Sequence, residues 1–411
     1  MRRLIAVLAA AAVAASAIAA AAQAPPAPER VVAAYFADYD APYNAYDIPA
    51  SRLTDVIYAF GAVTRAGRCT LADPYADTRE AFPGVPAVAG APAGDFGALL
   101  ALKRRFPNLA TEISIGGGGS GSSHFSAAAS TPARRARLVS SCIALFLRRW
   151  PGLFDGVDID WEFPVAGGDP GTPARPADRA DATALIALFR RELDTLGASA
   201  HRHYLLTAAM PSFRTPDGSY TPSLSWDLPA VIGDLDWINL MTYNMTDASS
   251  PVTDFESPLR RLASDPSPAA PNGGDTIEGA VSFYEAAGVP AEKIVIGAPF
   301  YGHVFTHVPG RHGGLFQRFR RQRDTPTYDE IASAHPSSFR RYWSPTAGEP
   351  WLYSHQLRQF VSYEDPASMA AKAGYVIAAH LRGAMVWEIS QDDAAHSLID
   401  ALSGPLLGTR P

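Results

Sequence analysis

Between Phe154 and Pro164 the chain reads FDGVDIDWEFP, which sets three acids, Asp158, Asp160 and Glu162, at alternate positions in an otherwise apolar, β-favouring run. Side chains on a strand alternate between its faces, so all three are expected to point the same way. Burying such a row is costly, because like charges repel and each carboxylate loses hydration. A structural role would need three matching cations or three metal-bound oxygens nearby in the sequence, and none is visible. The row therefore reads as a catalytic cluster. A carboxylic acid among other carboxylates and rings has a raised pKa, which keeps Glu162 protonated near neutral pH and fit to donate a proton. The competing reading is a cation site, which activity surviving chelation would dismiss. The ten histidines form no HExxH and no clustered pairs, so no metal and no cofactor is expected.

The elements that must position this row alternate along the chain. Short continuous apolar runs at 31–36, 54–60 and 110–115 read as strands covered on both faces. The third ends in Gly116-Gly117-Gly118-Gly119-Ser120-Gly121, where the backbone can turn sharply and pass close to a ligand. Helices are expected over 95–105, with Asp95 as N-cap, and over 133–150, leading into the acidic strand. Further strands at 204–210, 237–243, 293–301 and 383–389, with helices at 181–196, 276–287 and 368–380, bring the count to eight strands mostly separated by helices. That alternation calls for parallel pairing in a (β/α)8 TIM barrel, an α/β fold. A doubly wound sheet is the rival, but no GxGxxG follows the first strand. Residues 303–353, rich in Pro, Arg and aromatics, are too long for an ordinary βα loop. They read as a small α+β insertion between strands seven and eight, leaving 25–302 and 354–411 for the barrel. Arg318 to Arg323 is a basic run read as a solvated face.

The amino terminus has the layout of a secretory signal over 1–24: Arg2 and Arg3, an apolar run from Leu4, then Ala22-Gln23-Ala24. An Ala-rich membrane anchor is the alternative. No later stretch reaches the ~18 apolar residues needed to span a bilayer. The expected location is therefore extracellular or periplasmic. A formal net charge of −6 disfavours nucleic acid or an anionic membrane as the main partner, and a neutral or cationic ligand fits better. The two cysteines, Cys69 and Cys142, allow either one disulfide or two separate thiols.

Barrel active sites form at the carboxyl ends of the strands. The candidates there are Tyr35, Phe60, Gly117, the acid row, Met210, Met241, Tyr243, Asn244, Tyr301 and Trp387. Aromatics and carboxylates gathered at one rim describe a carbohydrate cleft, since sugar faces stack on rings and glycosidic bonds break under acid catalysis. The stretch Asp155 to Glu162 resembles the DxxDxDxE signature of family 18 glycoside hydrolases, the chitinases and their relatives. Ser114-Ile115-Gly116-Gly117 is similar to their SxGG motif. Met241-Thr242-Tyr243, Pro299 to Gly302 and Gly383 to Glu388 match in the family's order.

The resemblance implies that Glu162 protonates the scissile oxygen and then activates water. The substrate's own 2-acetamido carbonyl would be the nucleophile, which is why no second carboxylate nucleophile is needed. It also implies that Asp160 stabilises the acetamido nitrogen, that Asp158 shares a proton with Asp160, that Tyr243 donates to the acetamido oxygen and that Trp387 forms the floor under the cleaved sugar. The inserted segment would wall the cleft. Three positions depart from the family pattern. Gly118 replaces an aromatic, so product-side binding is expected to weaken. Asn244 replaces an acid, so Glu162 should be raised less and the pH optimum shifted acidward. His303 stands where Arg is common, which leaves one cleft hydrogen bond in question.

The implied function is a secreted retaining hydrolase of β-1,4-linked N-acetylglucosamine polymers, acting as a monomer on chitin or its oligosaccharides. The rivals are an endo-β-N-acetylglucosaminidase on N-glycans and a non-catalytic chitin-binding lectin. Trp161, out of phase with the acids, should lie in the core. The sequon Asn244-Met245-Thr246 sits at the expected cleft mouth, where modification is not expected.

Overall fold

The computed structural model describes residues 30–37, 43–213, 220–266, 276–334 and 337–408, so the leader read at 1–24 lies outside the described residues. Its strands are β1 (Val31–Ala37), β2 (Asp55–Val63), β3 (Cys69–Leu71), β4 (Ala110–Gly116), β5 (Gly156–Asp160), β6 (Leu205–Pro211), β7 (Trp237–Met241), β8 (Ile294–Pro299), β9 (His303–Thr306), β10 (Arg321–Asp324), β11 (Arg340–Ser344), β12 (Glu349–Ser354), β13 (Gln359–Ser362) and β14 (Gly383–Trp387). Parallel pairing runs β1-β2-β4-β5-β6-β7-β8-β14 and closes back on β1. This is the eight-stranded β/α barrel that the alternation required. β3 is an extra antiparallel strand on β2.

Both faces of the strands are buried, which explains their continuous apolar runs. One set, including Val32, Ala34 and Val56, packs outward under the helices. The alternate set, including Ala33, Tyr35, Ile57, Trp237 and Met385, fills the barrel interior. Trp161 is fully buried and stacks on Phe125 at 5.3 Å, as its phase required.

Several local expectations give way to packing. The helix expected over 133–150 is α-helical only over Pro132–Cys142 and continues as a π-helical turn over Ile143–Arg148. The wider turn buries Ile143, Phe146 and Leu147, and the Phe146 ring lies where a Cβ on Gly61 would stand, 2.7 Å away. Asp95 does not cap its helix. That helix starts at Gly94, and the buried Asp95 carboxylate accepts the Ala45 N–H at 2.9 Å. Cys69 and Cys142 are joined in a disulfide, tying β3 to the helix Pro132–Cys142. A closing helix, Ser397–Leu407, packs on the helix Pro366–Ala378; its Gly404 and Pro405 hide it from a sequence reading.

After β8 the chain builds a second, antiparallel sheet in the order β10-β9-β13-β12-β11. Its core gathers Phe305, Trp351, Tyr353 and Phe360 with Phe255 from the loop after β7. The boundary at 353 cuts through β12, because β13 completes the sheet between β12 and β9 as far as Ser362. The density of aromatic residues marked the segment, and the short β13 carries too few of them to extend it. The arginines of the 318–323 run are exposed, while Phe319 turns in against Phe305 at 4.6 Å.

Candidate active site

β5 ends at Asp160, so Glu162 sits two residues beyond the strand, in the rim loop. The glycine run fixes that loop. Gly116, at φ +120°, faces the Asp160 carbonyl so closely that a Cβ there would lie 2.1 Å from it. Gly117 N–H donates to the same carbonyl at 2.9 Å. Ser122, just after the run, donates to the Gly117 carbonyl and accepts the Glu162 N–H at 2.7 Å.

Each acid meets a different environment. Asp158 is fully buried and accepts from Ser114 Oγ at 2.7 Å, Thr207 Oγ1 at 2.8 Å, Tyr35 OH at 3.0 Å and Asn239 Nδ2 at 3.3 Å. The Asn239 amide orientation follows from its neighbour, because the indole N–H of Trp237, which can only donate, is 3.0 Å from Asn239 Oδ1. Asp160 is hydrogen-bonded to Glu162 and lines the cleft. A hydrogen bond between two carboxyls needs one proton, which Asp160 and Glu162 hold between them, while four donors face the Asp158 oxygens. Burial, then the charges of Glu162 and Asp158, push Asp160 well above the usual carboxylate range. Glu162 is pushed up to about 7, first by burial and then by the Asp169 carboxylate, against the lowering effect of the Asp160 hydrogen bond. Tyr243 is raised by burial and by the charges of Asp160 and Glu162, so its hydroxyl keeps its proton for donation.

A cleft of about 1260 Å³ opens over this row. Of the sequence candidates, Phe60, Gly117, Met241, Tyr243, Asn244, Tyr301 and Trp387 line it. Trp387 lies between Tyr35, at 5.4 Å, and Phe60, which stacks on it at 5.8 Å. Tyr35 itself lies beneath the surface as a donor to Asp158.

Two candidates lie elsewhere. Met210 is fully buried among residues packed under the helices, because the inward positions of β6 are its odd-numbered ones. His303 is buried behind Asn244, with Nε2 at 2.9 Å from Glu256 Oε2 and 3.1 Å from Asn244 Oδ1. Burial pushes the imidazole down, but the Glu256 carboxylate more than offsets this and holds it above the ordinary histidine value. Asn244 lines the cleft, yet its Oδ1 accepts from Tyr301 OH at 2.8 Å. The anion acting on Glu162 is therefore Asp169, not a residue at 244. Among the described residues, none from the second sheet lines the cleft. That sheet packs instead on Phe255 and its loop.

The sequence reading missed several contributors. Asp169 sits in a Gly/Pro-rich loop with no periodicity to mark it. Phe213, 41% exposed at the cleft and stacked on Tyr220 at 4.8 Å, offers a sugar-stacking face. Thr207 and Asn239 were legible as polar residues at inward positions of otherwise apolar strands.

Comparison with known proteins agrees with this geometry. The model of glycosyl hydrolases family 18 matches residues 31–392. Chitinase A1 of Niallia circulans is 31% identical over 88% of this chain and 56% of its own length. A chitinase from Flavobacterium johnsoniae is 28% identical, with 27% of its length covered, so the chain spans little more than half of one of these curated relatives and about a quarter of the other. Among solved structures, a chitinase from Bacillus thuringiensis superposes with a TM-score of 0.84 at 28% identity, covering 92% of this chain and 70% of that one. A family 18 N-acetylglucosaminidase from Paenibacillus barengoltzii gives 0.75 at 31% identity, covering 92% and 100%. With its barrel, its acid row and a family match across nearly all the described residues, this chain belongs to glycoside hydrolase family 18.

Proposed function

We propose that the protein is a secreted retaining hydrolase of β-1,4-linked N-acetylglucosamine polymers, acting as a monomer on chitin or its oligosaccharides. The observation that carries this reading is the Asp160–Glu162 pair at the rim, with Glu162 held at about 7. Glu162 donates its proton to the scissile oxygen and later takes one from water. Asp160 steadies the acetamido nitrogen, Tyr243 donates to the acetamido oxygen, and that oxygen attacks the anomeric carbon. Trp387 is the floor of the reacting sugar, and Phe60 and Phe213 offer further stacking faces. A cleft of about 1260 Å³ exceeds the ~300–1,000 Å³ of ordinary small-molecule pockets, which favours an oligosaccharide.

The Cys69–Cys142 disulfide and the leader-like amino terminus both support export to an oxidising compartment. The barrel is the catalytic unit, and the second sheet is an accessory of the barrel rather than a cleft wall. The presence of Glu162 argues against a lectin. The name of the Paenibacillus relative supports a second reading, removal of single N-acetylglucosamine units.

The test is a digest of chitotetraose and of a high-mannose glycoprotein by wild type and Glu162→Gln. The expected result is chitotetraose cleavage by wild type alone, with product sizes separating internal cutting from release of single sugars. Cleavage of neither substrate, or equal cleavage by the variant, sinks the proposal, and cleavage of the glycoprotein alone transfers it to N-glycans.

A further inference from the structure

Below the acid row the barrel interior holds a fourth carboxyl that the mechanism above does not use. Glu112 stands two residues before Ser114 on β4, level with Ile57 on β2 and Gly156 on β5, one strand layer deeper than Asp158. It is fully buried. Its Oε2 is 3.0 Å from Thr207 Oγ1, which is 2.8 Å from Asp158 Oδ1, and its Oε1 has no hydrogen-bond partner. The charges that act on Glu112 most are Asp158 from β5, Asp55 from β2 and Asp236 from the start of β7, all acidic. The cations that act on those neighbours are engaged there: Arg382 acts on Asp55, while Arg190 and His203 pair with Asp236.

A hydroxyl has one proton to donate, so Thr207 cannot satisfy two carboxylates at once. The three groups are coherent only if one carboxyl carries a proton and donates it to Thr207 Oγ1, while Thr207 donates to the other. Asp158 already accepts from Ser114, Tyr35 and Asn239, whereas Glu112 has only Thr207. The proton therefore rests on Glu112. Burial and the negative neighbours push its pKa well up, in agreement with this placement.

We propose that Glu112 is the proton-bearing end of the acid row, a positioning residue that shares one proton with Asp158 through the Thr207 hydroxyl. This rests on the hydrolase reading above and deepens it. When Glu162 gives its proton to the leaving oxygen, negative charge builds on the Asp160–Glu162 pair, and the buried Asp158 carboxylate acts on Asp160. The relay relieves that repulsion. The Glu112 O–H bond breaks as Thr207 Oγ1 gains that proton, and the Thr207 O–H bond breaks as Asp158 Oδ1 gains the next. One negative charge moves from Asp158 to Glu112, a strand layer away from the chemistry, with no proton exchanged with solvent.

The experiment pairs kinetics with infrared spectroscopy on the full chain. Glu112→Gln keeps a donor toward Thr207 but holds no transferable proton, and Thr207→Val breaks the chain of hydroxyls. Both are expected to lower kcat on chitotetraose about tenfold, the equivalent of one pKa unit of coupling, with KM little changed and the pH profile of kcat displaced. The wild-type minus Glu112→Gln infrared difference spectrum at neutral pH should show one protonated-carboxyl band beyond those of Asp160 and Glu162, which cancel, and that band should shift in Thr207→Val. A Glu112→Gln enzyme with wild-type kcat and pH profile, or a difference spectrum without that band, overturns the proposal. Should Glu112→Gln fail to fold, Glu112→Asp replaces it, and a difference spectrum against wild type with no displaced carboxyl band overturns the proposal equally. Because the spectrum needs no substrate, the proton on Glu112 is tested even if chitotetraose is not cleaved, an outcome that instead counts against the hydrolase reading.

Discussion

Two groups of buried carboxylates lie close together in this molecule, and they differ in what faces them. At the rim, Asp158 takes only neutral side-chain donors, while Asp160 and Glu162 share a proton with each other. At the junction between barrel and second sheet, Glu256, Glu349 and Glu364 are buried as deeply as Asp158 and Asp160, whereas Glu162 is half-buried at the cleft. There Glu256 pairs with His303 and accepts the Asn244 N–H. Glu349 accepts the N–H groups of Glu256 and Ser257 at 2.8 and 3.0 Å. Glu364 pairs with the fully buried Lys372 at 2.6 Å. The junction acids hold loop, sheet and helix together with cations and backbone donors. Among the described residues no cation acts strongly on the rim acids, so burial and like charge raise them unopposed by a counter-charge. Burial alone does not separate a catalytic carboxyl from a structural one; the counter-charge does.

Glu162→Gln should break the rim side of this comparison most severely. Loss of the general acid is expected to reduce kcat on chitotetraose by ~10²–10⁴-fold, with the urea unfolding curve nearly unmoved. A variant that unfolds early instead would make Glu162 a structural acid like those at the junction.

Lys372→Met should do the reverse, because removing one partner of a buried pair costs about 3–5 kcal/mol. The specific activity of the folded fraction should stay close to wild type. The loss should be greater at pH 8 than at pH 5. Burial raises Glu364 above its unfolded value even with Lys372 present, so its contribution to stability is lost as pH rises through the folded pKa. Without the lysine that pKa rises further, and the low-pH form can protonate and escape the unpaired charge. Equal losses at both pH values would mean that Glu364 does not titrate in this range.

The smallest effect belongs to Asp169→Asn. Glu162 must be protonated to act, so activity falls as pH rises through about 7. Removing the negative charge at Asp169 lowers that pKa and moves the alkaline limb of kcat/KM acidward. Asp169 is exposed, so a shift below about one pH unit is expected, shrinking as salt screens the charge. An unmoved limb at low salt would return the tuning of Glu162 to burial alone.

The sequence made the barrel legible because its strands, buried on both faces, are continuous apolar runs separated by helices. It made the acid row legible because period-two spacing of like charges inside such a run has few structural explanations. It left Asp169 and Phe213 hidden, since loop residues carry no period. Met210 was misplaced for a related reason: a strand-end position does not reveal its phase until β6 is known to start at Leu205.

Alternation and composition therefore determined, without coordinates, the fold class, the position of Asp158, Asp160 and Glu162 in the chain, and the expectation that they do chemistry. Only the tertiary structure decided which acid meets which donor. It paired Asp160 with Glu162, turned Asn244 toward Tyr301 and His303, set Asp169 to act on Glu162, and brought Glu112 within one hydroxyl of Asp158. Those pairings join residues as many as 95 positions apart. They depend on barrel register and loop closure, and hydrogen bonds act over a few ångströms of space whatever the separation along the chain.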